Sequence, residues 1–160
     1  MKSSNSEGTS SLDDNGALGE PEAVAGYFGI PVEPEPGWGV AIGSLAWGDY
    51  DNDGDLDLAV CGYDGSGKRF RVYKNNGNGT FDSSEVEPES GWGVSSAYLA
   101  WGDYDNDGYL DLAVCGADGS SYRFRVYKNN GDGTFASDEV EPEPGWGVIY
   151  PSLAWGDYDN

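Results

Sequence analysis

From Ser44 onward the apolar residues recur at every second position in short runs, and nowhere at helical spacing. Over Ser44–Asp49, Leu45, Trp47 and Asp49 share one face while Ala46 and Gly48 share the other. Leu56–Gly62 places Leu56, Leu58 and Val60 on one side and Asp57, Ala59 and Cys61 on the other. Both sides of that run are apolar except for Asp57, the pattern of a strand buried between neighbouring sheets. Arg69–Lys74 predicts a third strand, with Phe70 and Val72 inward and Arg69, Arg71 and Tyr73 outward. Asn75-Asn-Gly-Asn-Gly79 is a hairpin signal, because Asn and Gly tolerate positive φ. Gly79–Asp82 then predicts a fourth, outer strand, and the Glu-Pro-Glu stretch that follows ends the pairing, since Pro withholds a donor. The predicted class is all-β, in units of four antiparallel strands.

The unit repeats. Trp47, Trp101 and Trp155 are 54 residues apart, as are Trp38, Trp92 and Trp146, and these six are all the tryptophans of the chain. Cys61 and Cys115 keep the same interval, and so do Phe81 and Phe135. Roughly four in five positions match between 32–85 and 86–139, with the start of a third copy at 140–160. A period of this size suits a four-stranded propeller blade and is too long for leucine-rich, ankyrin or tetratricopeptide units. Closed propellers use about 4–8 blades. Two copies and part of a third predict either a piece of a longer protein or a ring assembled from several chains. The third copy stops inside its acidic loop, which favours the first expectation.

Composition changes the picture in three ways. A net charge of −21 over 160 residues excludes nucleic acid as a natural partner, since phosphate recognition needs Lys and Arg clusters. Residues 1–18 are dominated by Ser, Asn, Asp and Gly without an apolar face, which predicts a disordered lead-in before repeats spanning 19–160. The first thirty residues hold no basic segment followed by an apolar core, and no run approaches the roughly 20 apolar residues of a membrane span. Cys61 and Cys115 occupy equivalent places in successive copies. Packed sheets lie about 10 Å apart and a disulfide needs Cα atoms within roughly 7 Å, so free buried thiols are expected.

The candidate chemistry lies between the first two strands of each unit. Asp49-Tyr-Asp-Asn-Asp-Gly-Asp-Leu-Asp57 places carboxylates at positions 1, 3, 5 and 9, namely Asp49, Asp51, Asp53 and Asp57. The second copy repeats them as Asp103, Asp105, Asp107 and Asp111. Calcium takes six to eight oxygens, and alternate residues of a tight loop can turn their side chains toward one centre. Gly54 and Gly108 at position 6 permit the sharp reversal. Position 7 is Asp55 in one copy and Tyr109 in the other, so it is assigned to a backbone carbonyl ligand. A fully hydrated acidic turn could survive empty, because two carboxylates about 5 Å apart repel by only about 1 kcal/mol in water. Here each loop adjoins buried strand residues that restrict hydration, which favours a bound ion. Magnesium fits less well, since it prefers strict octahedral geometry and keeps its waters. An EF-hand is rejected: position 12 is Val60 or Val114 where a bidentate Glu is required, and the flanks are strand-like.

Ala46-Trp-Gly-Asp-Tyr-Asp-Asn-Asp-Gly-Asp-Leu-Asp-Leu58, followed by Val72-Tyr-Lys-Asn-Asn-Gly-Asn-Gly-Thr-Phe81, resembles the FG-GAP/VCBS repeat family over about 32–160. That family forms calcium-binding propeller blades, as in integrin α-subunit heads and many secreted bacterial proteins. The resemblance implies calcium at Asp49, Asp51, Asp53, Asp55 and Asp57, and equally at Asp103, Asp105, Asp107, Tyr109 and Asp111. Asp157 and Asp159 would begin a third site. The leading segment 18–31 matches the family poorly.

The sequence has no His, and no complete Ser, Cys or Lys constellation recurs, so the ion is expected to be a structural staple in a non-enzymatic module. Extracellular calcium modules bind at about 10⁻⁴–10⁻³ M, which suggests a cell-surface or secreted setting with a protein or glycan ligand. Two rival expectations stand beside this one. A lectin could stack Trp38, Trp92 and Trp146 on sugar rings, against the alternative that these rings pack blade to blade. An accessory domain of a secreted polysaccharide-degrading enzyme would carry its catalytic part elsewhere.

Overall fold

The computed structural model describes residues 32–156, so the lead-in at 1–18, the segment 18–31, and Asp157 and Asp159 lie outside the described residues. Six strands follow in order: β1 Ala41–Gly48, β2 Asp57–Tyr63, β3 Lys68–Tyr73, β4 Ser95–Gly102, β5 Asp111–Ala117 and β6 Tyr122–Tyr127. They form two three-stranded antiparallel sheets, β1-β2-β3 and β4-β5-β6, with no helix among the described residues. The all-β expectation and the three inner strands of each unit stand as read. Residue 48 pairs with 57 and 47 with 58, so each acidic loop closes one end of its sheet. Ala41 pairs with Tyr63, and Tyr63 with Lys68, at the opposite end.

The fourth strand differs from expectation. Where Gly79–Asp82 was read as a full outer strand, the described chain makes isolated bridges, Asn75 with Phe81 and Val72 with Val86. The second copy repeats them at Asn129 with Phe135 and Val126 with Val140. Between these bridges the Asp82 carboxylate accepts the Ser84 amide at 3.1 Å, but Ala136 stands at that place in the second copy with the same break, so this side chain is not its cause. Two residues past Val86 and Val140, Pro88 and Pro142 offer no amide to continue a ladder.

The sheets stack face to face, with β4 lying against β1 and β2. Ala59, Cys61, Phe70 and Val72 from the first sheet interlock with Leu99, Leu112, Val114 and Tyr127 from the second. Cys61 and Cys115 are buried and free. Tyr73, read as outward-facing, and its counterpart Tyr127 are almost fully buried. Alternation was correct, but the other side of the strand is also covered: Tyr73 packs with Leu58, Val60 and Trp38, and its hydroxyl donates to Glu35 Oε2 at 3.1 Å. Burial pushes the Tyr73 hydroxyl up to about 12.

One tryptophan per copy locks each unit onto the one before it. The Trp101 indole lies over Gly48, where an added Cβ would sit 2.6 Å from the ring, and its Nε1 donates to the Ala46 carbonyl at 3.1 Å. Trp155 does the same over Gly102, donating to the Ala100 carbonyl at 3.1 Å. The second set plays a different part. The Arg71 guanidinium lies 4.8 Å above Trp38 and Arg125 lies 4.7 Å above Trp92, each covering one face of the ring.

Candidate metal centre

Each acidic loop is folded by its own carboxylates. Asp49 accepts the Asp53 and Gly54 amides, both at 3.0 Å, which wraps the loop back over position 1. Asn52, at position 4, takes the left-handed conformation at φ 59, which Asn adopts readily. Asp53 accepts the Asp55 amide at 3.0 Å. Asp57 is wholly buried at the start of β2, taking the Tyr50 amide at 3.1 Å and the Asn75 amide at 2.7 Å. The second loop reproduces each bond through Asp103, Asp107 and Asp111, with Asn106 left-handed at φ 58.

These restraints bring positions 1, 3 and 9 together. Asp49, Asp51 and Asp57 each offer an oxygen within 4.8 Å of the others, and Asp103, Asp105 and Asp111 do the same. Asp53 and Asp107 stand outside these trios, each turned toward a lysine. The side chains at position 7 are directed elsewhere: an added methyl on Gly77 would collide with the Asp55 carboxylate, and one on Gly131 would lie 2.4 Å from the Tyr109 ring. Both side chains therefore pack over the next hairpin, away from the carboxylate trio.

The electrostatics are those of a site short of positive charge. Burial pushes the Asp57 carboxyl up to about 6; the Asn75 and Tyr50 amides oppose this shift, and the charges of Asp51 and Asp53 add to it. Asp111 is raised for the same reasons. Asp51 Oδ1 is buried and has no hydrogen-bond partner among the described residues. A buried carboxylate oxygen without a partner is costly, and a metal ion beside it removes that cost. The donor set of hard oxygens, three convergent carboxylates in each loop, fits a hard divalent cation.

The two loops also touch. Asn52 Nδ2 donates to the Gly108 carbonyl at 3.1 Å. Asn129 is fully buried: its amide donates to Asp111, and its Nδ2 donates to the Leu110 carbonyl at 3.1 Å and to the Tyr50 carbonyl at 2.6 Å. One side chain thus ties the second centre to the first loop.

A second set of residues escaped the motif reading, although its signal is in the sequence. Copies 32–85 and 86–139 differ at twelve positions, and seven of these are 41–44, 63, 67 and 68. Strand register gathers all seven at the sheet end opposite the acidic loops. The third copy sharpens the point: 140–160 matches 32–52 except at 149–151. The tetrapeptides Ala41–Ser44, Ser95–Tyr98 and Ile149–Ser152 therefore vary between invariant flanks. Their second residues, Ile42, Ser96 and Tyr150, are exposed and all left-handed, at φ 53, 51 and 57. Ile42, Tyr98 and Tyr150 line one groove of about 330 Å³ between neighbouring copies.

Fold and site together define a class: tandem all-β units, each carrying an acidic strand-to-strand loop able to hold a metal ion. The chain belongs to the FG-GAP-like repeat family, whose family model matches residues 49–114 and again residues 103–160. No curated protein and no solved structure matches it. Among the described residues no helix is long and apolar enough to cross a membrane.

Proposed function

We propose that this chain is a non-enzymatic binding module, part of a calcium-stabilised β-propeller at the cell surface or outside the cell. Its two ends divide the work. The acidic end holds calcium at Asp49, Asp51 and Asp57, and at Asp103, Asp105 and Asp111, with Asp53, Asp107 and the carbonyls of Asp55 and Tyr109 completing the shell. Outside the described residues, Asp157 and Asp159 open a third such loop in sequence. The opposite end meets a protein partner.

The observation that carries this reading is the placement of the differences between copies. Exposure alone does not account for them, because Glu33, Gly37, Asn76 and Thr80 are exposed or half-buried and unchanged in the next copy. Drift at a left-handed position should favour Gly or Asn, yet Ile, Ser and Tyr stand there, and a β-branched residue at positive φ is strained. Repeat proteins place such variation on their binding face. The chemistry favours a protein over a glycan. The tetrapeptides carry no charge in a chain of 29 acidic residues, and their Tyr, Ser, Gly and Ile resemble a protein-recognition surface. The guanidinium groups over Trp38 and Trp92, and the edge contact of Trp92 with Phe70 of the preceding copy, support packing for those rings rather than sugar stacking.

Two measurements test the reading. Calcium should raise the melting temperature of the full chain, and Asp51→Ala with Asp105→Ala should abolish that rise; a rise that survives both substitutions removes these ligands. Tyr98→Ala with Tyr150→Ala should then be compared with the wild type on arrays of purified extracellular proteins and of glycans. Loss of protein binding at unchanged melting temperature supports the partner face. Binding that ignores the substitutions, or that occurs on glycans alone, overturns it.

A further inference from the structure

The acidic loops contain a cation of the chain's own. Lys74, directly after β3, brings its Nζ onto Asp51 Oδ2 and to 2.9 Å from Asp53 Oδ2. Lys128, directly after β6, brings its Nζ onto Asp105 Oδ2 and to 2.8 Å from Asp107 Oδ2. Carboxylates at positions 1 and 9 each accept two backbone amides, while the ammonium engages positions 3 and 5 in both copies. An ordinary surface ion pair would carry no consequence. Three features set these apart. Each lysine engages two carboxylates at once. The Asp51 carboxylate is divided, with Oδ2 on the ammonium and buried Oδ1 without a partner. Lys68 becomes Tyr122 in the next copy, whereas Lys74 is kept as Lys128.

We propose that Lys74 and Lys128 are tethered counter-cations that compete with the divalent ion for the carboxylates at positions 3 and 5, and so set the affinity of each site. A divalent ion that draws in Asp51 and Asp53 must share their oxygens with the ammonium or displace it, and repulsion between the two cations weakens the ion's hold. When the ion leaves, the ammonium stays to neutralise the loop and keep it folded. The lysines therefore lower calcium affinity while narrowing the gap in stability between loaded and empty forms. This inference rests on the reading of the loops as calcium sites.

The test is calorimetric titration of the full 160-residue chain with calcium chloride, beside thermal melting in a chelator. Lys74→Met with Lys128→Met should tighten calcium binding by on the order of three- to tenfold per site, the scale of one or two partly exposed ion pairs. The same variant should melt a few degrees lower in chelator and show a larger calcium-induced rise. Lys74→Arg with Lys128→Arg, which keeps the charge, should remain near wild-type affinity. If the double Met variant does not fold in chelator, Lys128→Met alone supplies the same reading at one of the two sites. Unchanged or weakened binding in the Met variants overturns the inference, and so does an Arg variant that behaves like Met. If wild type and variant alike give no heat with calcium, the calcium reading itself falls and takes the inference with it.

Discussion

Tyr50 and Tyr104 sit at the same loop position, between identical neighbours, and meet different surroundings. Tyr50 is 3% exposed and stacks on Trp101 and Phe135, while Tyr104 is 38% exposed. Leu45 and Leu99 reverse the order, at 60% and 7%. The tyrosines have identical neighbours on both sides and the leucines identical residues following them, yet burial differs, so the residue does not decide its own burial. The neighbouring copy does: the second covers the loop of the first, and the first covers the strand face of the second. A repeat here is a unit of sequence, while the unit of stability is the junction between two repeats.

That contrast can be broken most directly at the tyrosines. Tyr50→Ala should cost about 3–5 kcal/mol in denaturant unfolding, by loss of a buried aromatic, and Tyr104→Ala under about 1 kcal/mol. Equal costs would mean that the junction contributes nothing. Next in size are the buried amides. Asn129→Ala strands the Tyr50 and Leu110 carbonyls and the Gly131 amide and should cost about 2–3 kcal/mol, whereas Asn75→Ala strands the Leu56 carbonyl and the Gly77 amide at a half-buried site open to water and should cost about 1 kcal/mol. Gly48→Ala forces a methyl into the Trp101 ring and should cost about 1–3 kcal/mol; Gly102→Ala should cost less, because Trp155 is more exposed and can shift.

The smallest effect concerns a feature the two copies share. Donation from the Ser66 and Gly67 amides, from the Ser66 hydroxyl and from Arg69 holds the Asp64 carboxyl well below its ordinary value of 3.8. At Asp118 burial acts the other way, and Arg123 with the Ser121 and Ser120 amides outweighs it. Folded-state values below the unfolded one stabilise the protein above about pH 4, and that contribution is lost as pH falls through the folded values. Asp64→Asn and Asp118→Asn should therefore flatten the acid limb of the unfolding curve by similar small amounts. Unequal flattening would show that the two turns, unlike the two loops, feel their neighbours differently.

Periodicity made the inner strands and the acidic loops legible, because alternation and carboxylate spacing are local properties of the chain. What lay beyond reach depended on partners distant in sequence. The inward burial of Tyr73 comes from Trp38 and Glu35 in the preceding linker, and nothing in Arg-Phe-Arg-Val-Tyr announces them. The outer strand failed as a reading because Phe81 and Val86 each pair once and the chain leaves the sheet edge between them, as it does between Phe135 and Val140. Among the loop aspartates, spacing alone could not separate Asp51, which joins the trio, from Asp53, which lies outside it, although both meet Lys74. The varied tetrapeptides were written in the sequence throughout, but only strand register shows that 41–44, 63 and 68 meet at one end.

The bond from Asn129 to the Tyr50 carbonyl gives the stack a direction. The first loop receives its last buried donor from the copy that follows it, so this copy is finished by its successor. During synthesis the first loop gains this donor only when the chain has grown 79 residues past Tyr50. Lengthening such an array at its trailing edge reinforces what was made before, and trimming it there loosens the copy left exposed.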